Sequence, residues 1–193
     1  MIIVGITGCI GCGKTFLGNI LKSLGYSVYN PDDWTRELYK KENFLKLIKE
    51  NFPTVFENGI FNKRKLRELV FNDGKQLDKL ENIIYPILLD KFKKIIRKQA
   101  KKQDIIFFDV ALLLEFGWDK FCDYIITAHA SENIQKQRVI LRDGIKDADF
   151  YKIIEKQISQ KQKEEAADLV INTENKENLL KVELIKFIKE IIE

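Results

Sequence analysis

Gly8-Cys9-Ile10-Gly11-Cys12-Gly13-Lys14-Thr15 sets glycines, a lysine and a hydroxyl in the spacing G-x-x-x-x-G-K-[ST]. Inward-facing backbone N–H groups of such a loop cradle phosphate oxygens. A helix opening at Lys14 would add the positive end of its dipole. The Lys14 ammonium can reach β- and γ-phosphates, and the Thr15 hydroxyl can hold Mg²⁺. The chemistry implied is that of a nucleoside triphosphate. The same octapeptide contains Cys9-x-x-Cys12, the spacing of a redox dithiol. With Cys122 and His129, the only histidine, it is also the start of a zinc set. Neither alternative accounts for Gly8, Gly11, Gly13, Lys14 and Thr15, so phosphate binding is the preferred reading. Cys12 lies two residues before Lys14 at a helix N-terminus, which predicts a reactive, acidic thiol. The Cys9 and Cys12 side chains are expected to splay outward from a bound phosphate, and His129 simply to end a strand.

Phosphoryl transfer to an alcohol also needs an acid on the acceptor side and cations for the moving phosphoryl. Asp32 or Asp33 fits the first role, directly after a short strand, though both also suit the first turn of a helix opened by Pro31. Asp109 ends an apolar run and can meet Mg²⁺ directly or through water, or serve only as a turn residue. Arg138 and Arg142 are one helical turn apart and present guanidinium forks on one face. That face is otherwise an ordinary solvated one. No Asn-Lys-x-Asp and no Asp-x-x-Gly occurs, which argues against a common GTPase. The basic run from Lys91 to Lys102 lies on the polar face of an amphipathic helix and reads as solvated rather than as a nucleic-acid surface.

The elements that must position these groups alternate. Apolar strand-like runs fall at 2–6, 27–29, 105–108, 123–127 and 168–171, with helical periodicity between them. Strands apolar throughout imply a parallel sheet covered on both faces, an α/β fold. Residues 32–104 are mostly helical and too long for a simple crossover, so they read as an inserted substrate subdomain. Pro86 should break or kink the helical stretch around it. The chain has 193 residues, of which 45% are hydrophobic, enough for a core and against global disorder. Net charge is +4, from 33 Lys and Arg against 29 Asp and Glu, which suits a polyanionic small molecule without requiring nucleic acid. Three cysteines do not make a disulfide framework, and no long apolar run or basic leader occurs. The expectation is a cytoplasmic monomer with no membrane or nucleic-acid partner.

Taken together, these motifs resemble the dephospho-coenzyme A kinase family over nearly the whole chain. Gly5 to Thr15 is similar to the family's G-L-T-G-G-I-G-S-G-K-S, and Val28 to Arg36 to V-I-D-A-D-x-x-A-R. Gly59 to Leu66 is similar to G-x-L-x-R-x-x-L, with Lys63 for the family's Arg, and Tyr85-Pro86 stands at its His-Pro. Asp109 to Glu115 resembles D-x-P-L-L-x-E, with Ala111 for Pro. Arg138, Arg142-Asp143, Gln157, Lys163 and Ala167 to Ile171 fit the remaining motifs, and Thr173 replaces the usual Asn. The resemblance implies a P-loop NTPase-type five-stranded parallel sheet flanked by helices. Its core would comprise 1–31, 105–131 and 166–193, with a helical substrate subdomain at 32–104 and a helical lid at 132–165. It implies transfer of the ATP γ-phosphoryl to the ribose 3′-hydroxyl of dephospho-coenzyme A, with Asp32, Lys14 and Arg142 catalytic. Gly8, Cys9, Ile10, Gly11, Cys12, Gly13, Lys14, Thr15 and Phe16, with Arg138 and Arg142, would hold ATP. Asp32, Arg36, Lys63, Leu113 and Glu115 would meet the acceptor, and Thr15 and Asp109 the Mg²⁺. The runner-up is another small-molecule P-loop kinase.

Overall fold

A computed structural model describes the whole chain, Met1–Glu193. Backbone contacts divide it into two compact units, residues 1–30 with 99–193, and residues 31–98. The first unit opens with β1 (Ile2–Thr7), α1 (Lys14–Ser23) and β2 (Val28–Tyr29). The second contains α2 (Pro31–Leu38), α3 (Glu42–Asn51), β3 (Phe56–Glu57), β4 (Ile60–Phe61), α4 (Lys63–Asn72) and α5 (Gly74–Gln99). The chain then returns to the first unit with β5 (Ile105–Asp109), β6 (Tyr124–His129), α6 (Glu132–Asp143), α7 (Asp147–Ile154), α8 (Gln160–Glu165), β7 (Leu169–Asn172) and α9 (Glu177–Ile192).

The first unit is built on a five-stranded sheet of order β2-β5-β1-β6-β7, with every pairing parallel. Alternate residues of a strand face opposite sides. All of β5 is nonetheless buried, Phe107 and Phe108 completely, so helices cover both faces. One face packs Val4, Ile6, Phe107 and Ile126 against Leu17, Ile20 and Leu21 of α1 and Leu180, Leu184 and Ile188 of α9. Each such side chain contributes roughly 1.5–3 kcal/mol when fully buried. The register pairs Ile6 with Asp109, Thr7 with Thr127 and Tyr29 with Phe108. The carboxyl ends of β1, β2 and β5 therefore align along one edge of the sheet, where open α/β folds bind ligands.

In the second unit, Pro86 lies inside the uninterrupted 26-residue α5, correcting the expected break. A proline frees the carbonyl four residues earlier, here that of Asn82. Both Asn82 and Pro86 are exposed, so water can serve that carbonyl, while Leu80, Leu88 and Phe92 anchor the helix on its buried side. The β3–β4 hairpin was not anticipated, although Asn58-Gly59 is its signature. Both residues take positive φ, 49° and 80°, as a tight hairpin turn requires. No helix is long and apolar enough to cross a membrane.

Candidate active site

The loop between β1 and α1 is short of internal partners. Cys12 N–H donates to the Cys9 carbonyl at 3.1 Å, and Phe16 and Leu17 N–H to the Gly13 carbonyl at 3.0 and 3.2 Å. No protein acceptor takes the N–H groups of Gly11, Gly13, Lys14 or Thr15. Lys14 and Thr15 open α1 and Gly13 precedes it, so these donors cluster at the positive end of the helix, an arrangement suited to an anion. Gly11 is required by close approach. Its φ is 81°, and a Cβ there would lie 2.5 Å from the Gln135 carbonyl oxygen of α6.

Lys14 Nζ lies 3.5 Å from Asp109 Oδ1 at the end of β5. Asn30, one residue past β2, donates its side-chain N–H to Asp109 Oδ2 at 3.1 Å. Asp109 is only 4% exposed, so a carboxylate is kept in the sheet edge by a cation and an amide. Thr15 is exposed on the first turn of α1. An exposed hydroxyl and one strand-end carboxylate fit Mg²⁺, which is usually held by one or two protein groups together with substrate phosphates and water.

Arg138 and Arg142 share α6 but have different surroundings. Arg138 braces the loop from behind, donating to the Gly11 carbonyl at 3.3 Å, to Thr173 Oγ1 at 2.8 Å and to the Thr173 carbonyl at 3.0 Å. Thr173 Oγ1 in turn donates to the Cys12 carbonyl at 2.7 Å. Arg142 is 63% exposed and makes a two-pronged pair with its neighbour Asp143 at 2.8 and 2.7 Å.

The cysteines depart from expectation. Cys9 and Cys12 are buried, 4% and 0% exposed. Each thiol donates inward, Cys9 to the Ile158 carbonyl at 3.6 Å and Cys12 to Gln160 Oε1 at 3.1 Å. Burial raises the Cys9 thiol against the pull of Lys163 and Lys14, and pushes Cys12 up to about 12. That direction runs against the acidic thiol expected at the start of α1. His129 also does more than end β6, since its Nδ1 meets Glu164 Oε1 at 2.5 Å. Burial pushes the Glu164 carboxyl up, but Gln160 and His129 outweigh it and hold the group below its ordinary value.

Behind the loop, Lys163 is 0% exposed and donates to both Glu115 oxygens, at 2.7 and 2.9 Å, and to the Ala111 carbonyl at 3.0 Å. Leu113, in the same segment, is fully buried. Asp32 and Asp33 begin α2 in the second unit, and both are exposed. Arg36 pairs with Asp33. Lys63 is exposed with its ammonium 5.8 Å from the Tyr39 ring centroid. Local spacing pointed to the loop and to Asp109, which meets Lys14, and to Arg138, which contacts the loop, whereas Arg142 pairs with Asp143. It missed Asn30, whose β-strand-end position beside Asp32 was its only signal, and gave no sign of what Gln160 and Thr173 do.

The family profile of dephospho-CoA kinase matches residues 2–179. A dephospho-CoA kinase from Bartonella henselae is 38% identical over 176 residues, covering 90% of this chain and 89% of that protein. A solved Thermus thermophilus structure superposes with a TM-score of 0.83 at 26% identity, covering 100% of this chain and 98% of that one. A shikimate kinase from Bacteroides thetaiotaomicron, at 13% identity and a TM-score of 0.58 over 97% of this chain and 98% of that one, shares the fold alone. With a phosphate loop whose amides stand open beside a strand-end acid, and a profile match that runs from β1 into α9, this chain belongs to the dephospho-CoA kinase family.

Proposed function

We propose that the chain transfers the γ-phosphoryl of ATP to the ribose 3′-hydroxyl of dephospho-coenzyme A, giving coenzyme A and ADP, the last step of coenzyme A synthesis. The observation that carries the reading is the set of open amides at Gly11, Gly13, Lys14 and Thr15 in a chain of this family. Those amides receive the donor phosphates, and the Lys14 ammonium leaves Asp109 for the β- and γ-oxygens. Asp32 orients the 3′-hydroxyl and takes its proton as the new O–P bond forms and the bond from the γ-phosphorus to the β–γ bridging oxygen breaks. Arg142, exposed on α6, supplies a guanidinium fork to the oxygens of the moving phosphoryl. Thr15 and Asp109 would hold Mg²⁺, whose chemistry there is to neutralise the charge developing between the phosphates. Arg36 and Lys63 contribute positive charge to an acceptor that carries a pyrophosphate.

Lys14→Ala tests the donor site. Removing the ammonium leaves the nearly buried Asp109 carboxylate without that cation, so the variant should melt below wild type and is assayed well under its own melting temperature. It should lose phosphoryl transfer by about 10²–10³-fold, the scale of a single transition-state charge contact. Turnover close to wild type would remove the phosphate loop from the mechanism.

A further inference from the structure

Two glutamines far from the phosphate loop in sequence hold its first half. Cys9 N–H donates to Gln160 Oε1 at 3.2 Å, and Ile10 N–H donates to Gln157 Oε1 at 3.0 Å. The same Gln160 oxygen accepts from the Cys12 thiol at 3.1 Å. Gln160 is itself fixed, because its Nε2 donates to the Ala128 carbonyl at 3.0 Å and to Glu164 Oε1 at 2.7 Å. Both ends of its amide are therefore committed, and its oxygen can face only the loop. The backbone between the two glutamines is anchored as well. Ile158 N–H donates to Glu115 Oε1 at 3.1 Å, and that carboxylate is held by the buried Lys163.

These contacts sort the donors of the loop. The glutamines take the N–H groups of Cys9 and Ile10, the Cys9 carbonyl takes that of Cys12, and those of Gly11, Gly13, Lys14 and Thr15 stay open. A segment with three glycines in six residues has many competing conformations. Ordering it at the moment of binding would weaken affinity, and ordering it beforehand avoids that loss. We propose that Gln160, assisted by Gln157, is a positioning residue for the donor nucleotide, setting the phosphate loop before ATP arrives by gripping Cys9 and Cys12 without touching phosphate. The inference rests on the kinase reading of the loop.

The test compares wild type with Gln160→Ala, Gln160→Glu and Gln157→Ala, using ADP affinity by calorimetry and steady-state kinetics. In Gln160→Ala two loop contacts are lost, so the ADP Kd and the KM for ATP should rise about tenfold. The KM for dephospho-coenzyme A should stay at its wild-type value and kcat within about threefold, since the brace acts on binding of one substrate. Gln157→Ala removes one contact and should raise the ADP Kd about threefold. Gln160→Glu keeps an acceptor for Cys9 and Cys12 but sets a carboxylate against Glu164. Its ADP affinity relative to wild type should recover as pH falls toward about 5, where a protonated carboxyl can again donate. Unchanged nucleotide affinity in Gln160→Ala would overturn the proposal, as would tighter ADP binding by either alanine variant. A common loss in both KM values together with a collapsed melting temperature would reduce Gln160 to a structural role and overturn it too. If Gln160→Ala does not fold, the pH response of Gln160→Glu decides. Wild type that binds no ADP would instead sink the kinase reading.

Discussion

Asp32 and Asp33 are adjacent on the first turn of α2 and point in different directions around it. Asp33 is engaged with Arg36, one turn along the same helix face. Asp32 points about 100° around the helix from it. Asp32→Asn should therefore lower kcat about 10²–10⁴-fold with little change in ADP affinity, and Asp33→Asn should cost far less. Steady-state kinetics with saturating ATP separates the two, and a more damaging Asp33→Asn would shift the acceptor acid by one position. The thiols give a second residue-scale expectation. Cys12 is neutral while folded well above its ordinary value of 9.0, being pushed up to about 12 by burial. A raised thiol pKa adds stability that is complete below the unfolded value and is lost as pH rises through the folded one, here between 9.0 and about 12. Iodoacetamide should label Cys12 of the folded chain at least about 10²-fold more slowly than in urea at pH 8, because burial and thiol protonation act together. Equal rates by mass spectrometry would mean that the loop opens freely. The loop itself was readable in the sequence because its eight residues are contiguous. The thiol environment was not, because Gln160 lies 148 residues from Cys12.

At the scale of elements, the sheet was readable as five apolar runs, since a parallel strand buried on both faces needs no partner to reveal its character. The helix α5 was not, because whether Pro86 interrupts it depends on which side of the helix faces water. The polar stretch at 132–165 resolves into α6, α7 and α8, and its order depends on groups remote in sequence. Lys163 is the clearest case. On sequence only the family resemblance singles it out, with no sign that it is fully buried and closes α8 onto the segment after β5 through Glu115. Lys163→Met removes the cation and leaves a largely buried carboxylate, so it should cost about 3–5 kcal/mol in urea unfolding. A loss under about 0.5 kcal/mol, the range of ordinary surface substitutions, would show that the pair is not strained by removal of one partner. Changing Lys163 and Glu115 together to apolar residues should recover part of that loss, because no unpaired charge then remains buried.

At the scale of the whole molecule, the residues proposed for the reaction fall in both compact units. The first carries the open amides, Lys14, Thr15 and Asp109, and the second carries Asp32, Arg36 and Lys63. A modest net charge of +4 matches polyanionic substrates and leaves specificity to placed groups rather than to the overall field. The identity of the acceptor is the central claim, because a fold alone does not fix a substrate, and this fold is shared with a shikimate kinase. The direct measurement is ADP release from Mg-ATP by the wild-type chain with and without dephospho-coenzyme A, with the product examined by mass spectrometry and ³¹P NMR. ADP should form only slowly without the acceptor, and with it should match coenzyme A mole for mole, with the new phosphate on the ribose 3′-oxygen. ATP turnover indifferent to dephospho-coenzyme A, or faster with shikimate or a deoxynucleoside as acceptor, would contradict the account.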